Sequence, residues 1–334
     1  MRSSLGENDR GRTEIDVFGT TVWNCISKAC QDVLRDSGIS NELVKGIGFD
    51  ATCSLAVTDL NGSPMSVTPG SWSTASATPI ERDIILWADH RAKKEANLIN
   101  ASGSSVLKYV GGTMSLEMEL PKMLWLKNHM PKEVFEQSLF FDLPDWLTFK
   151  ATGSMARSNC SLACKCSYVP PGVEGSKGWN AELFTKIGLG EFVRRSCSLA
   201  RRSLIRNSQV EKDFSPVGGI PGRSGLILTA GQPVGQGLSA ASALELGLLP
   251  GTPVGSAVID AYAGWVGTVA APMEGADEPS LAESAFRLAA IAGTSTCHIV
   301  QSPEPVFVKG VWGPYQHAIF PGCESPTLIA CHSD

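Results

Sequence analysis

Two hydrophobic periodicities share this chain, and their coexistence limits the fold more than any other feature. Val22, Trp23, Ile26, Ala29, Cys30, Val33 and Leu34 recur at helical spacing, and Gly38 follows where a helix would stop. The next segment, "GIGFDATCSLAVTDLNGSPM", changes period: a strand, a polar turn region, a second strand and a turn at Asn61-Gly62. "IILWADHRAKKEANLIN" reads as a strand end passing into a helix after the polar loop "SWSTASATPIERD". Helices are predicted around Met123 to Lys127, stopping at Pro131, and again within 135–153. "SAASALELGLL" is a short helix in a Gly- and Pro-rich stretch, "LAESAFRLAAI" a further helix, and "AGTSTCHIV" begins with a turn. Mixed helices and strands throughout, with no short-period repeat, predict an α/β architecture.

The 334 residues suffice for one large or two ordinary domains, and 43% apolar with 18% charged residues suits a soluble globular protein. The net charge of -5 argues against a nucleic-acid surface, so the basic stretch from Arg194 to Lys212 reads as a solvated helix or loop. No apolar run is long enough to span a bilayer, and "MRSSLGENDRGRTEID" has no apolar signal core, so a cytoplasmic protein with neither membrane nor nucleic-acid partner is expected. Three of the ten cysteines cluster in "CSLACKC", but no second pair follows at zinc spacing. They are read as reduced thiols, and no metal ligand is assigned; His90, His298 and His317 show no ligand spacing.

Four segments carry groups suited to chemistry. In "VIDAYAGWVG", Asp260 follows a short apolar strand and precedes small residues, which let a ligand or another backbone come close. Such a carboxylate can take a proton from a substrate hydroxyl, or cap a helix that begins at Ala261. In "AGTST", Gly293, Thr294 and Ser295 suit an anion-facing turn or an ordinary one; the Gly-Lys-Ser/Thr core of a Walker loop is absent. In "FDATCSL", Asp50, Thr52, Cys53 and Ser54 suit a polyol ligand, or an Asx turn between strands. In "LWADHRA", Trp87, Asp89 and Arg91 alternate. Extended, they would face one way as a sugar clamp; the other reading is an ion pair beside a core Trp.

Taken together and in order, "GFDATCSL", "ILWADHRA", "PKMLWLKNHMP", "DLPDWLTFKATGSMARSNCS", "GLSAASALELGLLPGTPVGSAVIDAYAG" and "IAGTSTCHIV" with "GVWGPY" resemble the FGGY carbohydrate kinases, from about Trp23 to Gly322. Within that family "DATCSL", "GTSTCH" and "VWGPY" resemble the D-ribulose kinase branch. The resemblance implies the ribonuclease H-like, actin-like fold, two domains around a cleft, and phosphoryl transfer from ATP with Mg²⁺ to a primary hydroxyl of a pentulose. It makes Asp260 the general base. It puts Asp50, Thr52, Cys53, Trp87, Asp89, Arg91 and Ala261 on the sugar side, and Gly293, Thr294 and Ser295 on a phosphate-facing loop. Mg²⁺ would bridge the phosphates through water and few carboxylates.

Against the family pattern, residues 1–16 read as a polar lead, 17–270 as a nearly complete sugar-binding domain lacking its first β-hairpin, 271–322 as the start of the ATP domain, and 323–334 as an aberrant tail. The expectation for the chain as written is therefore little or no kinase activity. The alternatives are a non-catalytic fragment that binds sugar weakly or associates with a full-length copy, and a kinase for L-ribulose, xylulose or another polyol. A homodimer is left open. A nucleotide-dependent oxidoreductase lacks its GxGxxG strand-turn-helix element here.

Overall fold

The computed structural model describes residues 6–8, 12–72, 82–170, 173–176, 178–190, 192, 217–218, 226–275, 277, 279–293, 296–316, 318–319 and 327–333. The basic stretch from Arg194 to Lys212 lies outside them. β1 (Gly6–Asn8) and β2 (Arg12–Glu14) pair antiparallel, Gly6 opposite Glu14. The polar lead thus contains a short hairpin of its own. Backbone pairing supplies its ladder, so no apolar stripe announces it.

β3 (Asp16–Val17) leads into α1 (Gly19–Ser37), whose stripe buries Trp23 and half-buries Val22, Ile26, Cys30 and Leu34. Gly38 ends the helix at φ 66°, its N–H bonded to the carbonyls of Leu34 and Arg35. β4 (Asp50–Ala51) and β5 (Leu55–Thr58) flank a short loop, and β6 (Ile84–Ile85) runs toward α2 (Lys93–Asn100). α3 (Glu119–His129) and α4 (Lys132–Phe135) precede β7 (Leu139–Asp142) and α5 (Leu143–Thr152). β8 (Arg157–Ser158) joins α6 (Asn159–Lys165), followed by α7 (Ala181–Lys186) and β9 (Ile227–Leu228).

β3, β6, β5 and β7 form one antiparallel sheet in that order, with Leu55 opposite Asp142 and Ala56 opposite Phe141. Alternation assigns its two faces. Leu55, Val57, Ile85 and Phe140 enter the larger core, which α2, α3 and α6 cover. Ala56, Ile84, Leu139 and Phe141 enter a second core beneath α1, α5 and α8 (Ala240–Leu246). A sheet buried on both faces explains why these strands read as unbroken apolar runs.

The remaining elements complete the far side of the larger core. β10 (Val258–Ile259) pairs parallel with β4 and passes directly into α9 (Asp260–Ala270). β11 (Ala289–Ala292), β12 (Thr296–Ser302), β13 (Trp312–Tyr315) and β14 (Thr327–Ser333) make an antiparallel sheet in the order β11-β12-β14-β13. The helix predicted over 281–291 is instead a 3₁₀ turn, Leu281–Phe286, followed by β11. A capping box of Ser280 and Glu283 starts the turn, but Ala289 then pairs with Ile299 and the ladder overrides the helical pattern.

Candidate active site

The parallel pairing of β4 with β10 makes the site. Val258 lies opposite Asp50 and Ile259 opposite Ala51, and a bridge between Ile47 and Val254 continues the register upstream. Both strands end side by side, so "TC" and "DA" leave the sheet together. Strand ends that open together at a helix start are where α/β sheets receive ligands.

Asp260 is the first residue of α9, and Ile259, not Asp260, occupies the capping position. The Asp260 Oδ1 accepts the N–H of Ala261 at 2.8 Å, and Oδ2 makes no hydrogen bond with the described residues. The carboxylate is exposed toward a cavity of about 310 Å³. Thr52, Cys53, Trp87, Asp260, Ala261 and Gly293 line it. The small residues after Asp260 have a second use. A Cβ on Gly264 would come within 2.8 Å of Ile291 Cγ1, so glycine lets α9 seat against β11.

Several other groups line the cavity that the four segments did not name. α6 is capped by Ser158, whose Oγ accepts the Cys160 N–H, and its last residue delivers Lys165 to the wall. Lys165 is buried and has no hydrogen-bond acceptor among the described residues; its ammonium sits 4.5 Å from the centre of the Trp312 ring. Burial opposes this charge, but Cys53, Glu117, Cys164 and Asp142 around it hold its pKa above the usual lysine range. Glu117 also lines the cavity, and Trp312 and Tyr315 of β13 face it from across. The Cys53 thiol, pushed up to about 12 by burial, is a neutral wall group. The signal for Lys165 lay in "CSLACKC" and that for Trp312 and Tyr315 in "GVWGPY"; Glu117 stands in neither motif.

Buried polar groups brace the walls from behind. Asp142 Oδ1 accepts the Ser54 N–H at 3.2 Å and the Leu143 N–H at 3.0 Å, tying the loop after β4 to α5. The Lys122 ammonium bonds the carbonyls of Leu86 and Glu117, each at 3.0 Å. The Ser54 hydroxyl accepts the Trp87 N–H at 3.1 Å. Each brace fixes a cavity residue through its neighbour, the role of supporting groups around a site.

Asp89 and Arg91 do not reach the cavity. Their segment turns instead of running extended, so alternation does not align them. Arg91 grips Asp89 with two bonds, Nε–Oδ1 at 2.9 Å and Nη2–Oδ2 at 2.7 Å, and also bonds Asp16 of β3. Its guanidinium stacks 5.0 Å from the Trp125 ring, and all three charged side chains are almost fully buried. They lock β3 to the segment before α2. Asp50 lies within β4, one pairing short of the cavity, and does not line it. Thr294 and Ser295 lie outside the described residues. Among those described, no three His, Cys, Asp or Glu side chains gather to hold a metal ion, and no helix is long and apolar enough to cross a membrane.

Residues 7–170 match the family model described as the N-terminal domain of the FGGY family of carbohydrate kinases. A D-ribulokinase of Saccharomyces cerevisiae is 45% identical over 90% of this chain and 40% of its own length. An FGGY carbohydrate kinase domain-containing protein of Homo sapiens is 40% identical over 90% of this chain and 48% of its own. The chain thus spans less than half the length of these curated relatives. Among solved structures, a ligand-bound xylulose kinase from Lactobacillus acidophilus superposes with a TM-score of 0.63 at 15% identity, over 99% of this chain and 53% of that one. That likeness establishes the actin-like fold of the sugar kinases. The matched domain begins at residue 7, inside the segment read as a lead, and takes in the loop after β4 and most of the cavity's supporting groups. The chain belongs to the FGGY family of carbohydrate kinases.

Proposed function

We propose that the cavity is the acceptor-sugar site of an ATP-dependent kinase acting on a pentulose, D-ribulose above all, to give D-ribulose 5-phosphate. The observation that carries this reading is the Asp260 carboxylate: one oxygen is fixed by the Ala261 N–H, and the other is left to a cavity that also holds a lysine with no hydrogen-bond acceptor among the described residues. The likeness to a yeast D-ribulokinase supports the choice of sugar.

In this reading Asp260 Oδ2 accepts the proton of the primary hydroxyl as its oxygen bonds the γ-phosphorus, and the bond from phosphorus to the bridging oxygen breaks to release ADP. Phosphoryl transfer needs positioning and charge neutralisation more than covalent help. Lys165 donates to a sugar oxygen or to the transferring phosphoryl group, and burial strengthens that interaction. Thr52, Ala261, Trp87 and Trp312 shape the sugar's surroundings. Gly293, with Thr294 and Ser295, faces the phosphates. Mg²⁺ would arrive with ATP, held by phosphates and water. Asp89 and Arg91 act through the scaffold. A cytoplasmic location accompanies this function, and the sites argued for lie within one copy of the chain.

Binding and turnover test the reading separately. D-ribulose, L-ribulose, xylulose and polyols are titrated onto the chain and then offered with ATP and Mg²⁺. Asp260→Asn is expected to keep sugar affinity and to lower any turnover by about 10²–10⁴-fold. Retained turnover in that variant removes Asp260 from the base role. Saturable binding without turnover supports the second reading, a chain that holds sugar without phosphorylating it.

A further inference from the structure

A buried acid pair stands behind the cavity lysine. Glu119 opens α3 and Asp142 closes β7 as the cap of α5; both are almost fully buried, with their carboxyl groups within reach of each other. Neither Glu119 oxygen nor Asp142 Oδ2 has a donor in hydrogen-bond geometry among the described residues. Two carboxylate oxygens in contact in a dry site need a proton between them, because two bare charges there would repel without solvent to screen them.

The other partners decide where that proton resides. Asp142 receives the backbone N–H groups of Ser54 and Leu143, and the Ser161 hydroxyl approaches it as well. Each favours a charge on Asp142. Glu119 receives none. Both acids lie at helix starts, so the helix dipoles do not distinguish them. The nearby cations are Lys122 and Lys165, with Arg157 beyond; Glu117, Asp145 and the Cys53, Cys160, Cys164 and Cys166 thiols also face the pair or the lysine. Lys122 already bonds two carbonyls, whereas Lys165 has no hydrogen-bond acceptor among the described residues.

We propose that Glu119 is protonated at neutral pH and donates its O–H to Asp142 Oδ2, and that the charge so kept on Asp142 adds to that of Glu117 in holding the Lys165 ammonium charged at the cavity wall. Burial pushes both carboxyls up, Asp142 to about 7 and Glu119 well above its usual range, in keeping with one proton for the pair. Glu119 and Asp142 are thus positioning residues. The consequence for sugar rests on the function proposed above; the location of the proton does not.

Carbon-13 NMR of protein labelled at glutamate Cδ and lysine Cε reads both halves. At pH 7 one glutamate carboxyl should resonate as a neutral acid and vanish in Glu119→Gln. Lys165 should titrate lower in Asp142→Asn, which keeps the helix cap but loses the charge. Glu119→Gln, whose amide can replace the donated O–H, should hold D-ribulose as the parent does, and Glu119→Ala should weaken it about tenfold or more. Finding every glutamate ionised at pH 7 overturns the proton assignment even if no variant folds. Unchanged Lys165 titration in Asp142→Asn overturns the positioning role whether or not any sugar binds. If the parent binds no pentulose while both spectra behave as expected, the function fails and the acid pair stands.

Discussion

Gly264 and Gly267 occupy the same helix, α9, and only Gly267 should gain stability from alanine. A new Cβ at Gly267 meets nothing within 4 Å, so Gly267→Ala gains helix propensity alone, about 1 kcal/mol of stability. At Gly264 the same Cβ would approach Ile291 Cγ1 to 2.8 Å and Cγ2 to 3.2 Å. Ile291 is β-branched and confined to a strand, so it yields poorly. Overpacking of this kind costs about 1–3 kcal/mol, which exceeds or cancels the propensity gain and leaves Gly264→Ala about 0–2 kcal/mol less stable than the parent. The two variants should therefore differ by about 1–3 kcal/mol in urea unfolding. A double-mutant cycle isolates the cause: in an Ile291→Ala background, Gly264→Ala should become stabilising, because the atoms it strikes are gone. Ile291 also lines the cavity, so the single variant should weaken sugar binding while Gly267→Ala leaves it unchanged. Equal stabilisation by both alanines, or a Gly264→Ala penalty that persists without the Ile291 side chain, refutes the packing argument.

Arg91→Ala leaves Asp16 and Asp89 buried without their cation and should cost about 3–5 kcal/mol, with the affinity of the folded fraction for sugar unchanged. Near-parental stability with lost affinity would return Arg91 to the sugar. Burial pushes the Asp145 carboxyl up to about 8, with the Arg157 guanidinium pulling the other way. Its folded pKa thus exceeds the unfolded value of about 4, so the folded state binds the extra proton and stability should fall as pH rises between those values. Asp145→Asn should flatten that slope by up to about 1.4 kcal/mol per pH unit, read from urea midpoints at successive pH values; an unchanged slope contradicts the shift.

Much of the scaffold was legible because a single segment carried its own instruction. The stripe from Val22 to Leu34 ends at Gly38 in sequence and in structure, and the apolar run before Asp260 is a strand that becomes a helix at that residue. What local pattern could not supply was the partner. Asp50 and Val258 lie far apart in sequence, and only their pairing makes Thr52 and Asp260 neighbours. The pattern at Leu281 to Ile291 suits a helix until β12 offers a ladder. The alternation of Trp87, Asp89 and Arg91 was informative only if extended, and the turn there sends one residue to the cavity and two into an ion cluster. Lys165 was the hardest to foresee, since nothing local distinguishes a lysine held charged inside a core from one at the surface.

In the proposed function, the loop after β4, the end of α6, the start of α9 and the strand β13 enclose one sugar. Trp87 stands on one wall of that cavity and Trp312 on another, among eight tryptophans in the chain. Fluorine NMR of protein labelled with 5-fluorotryptophan, assigned by Trp87→Phe and Trp312→Phe, can watch both walls during a D-ribulose titration. The two resonances should move together along one saturable curve, and Lys165→Met should shift that curve to higher sugar concentration. Saturable binding that moves other tryptophans and leaves these two in place would contradict the account.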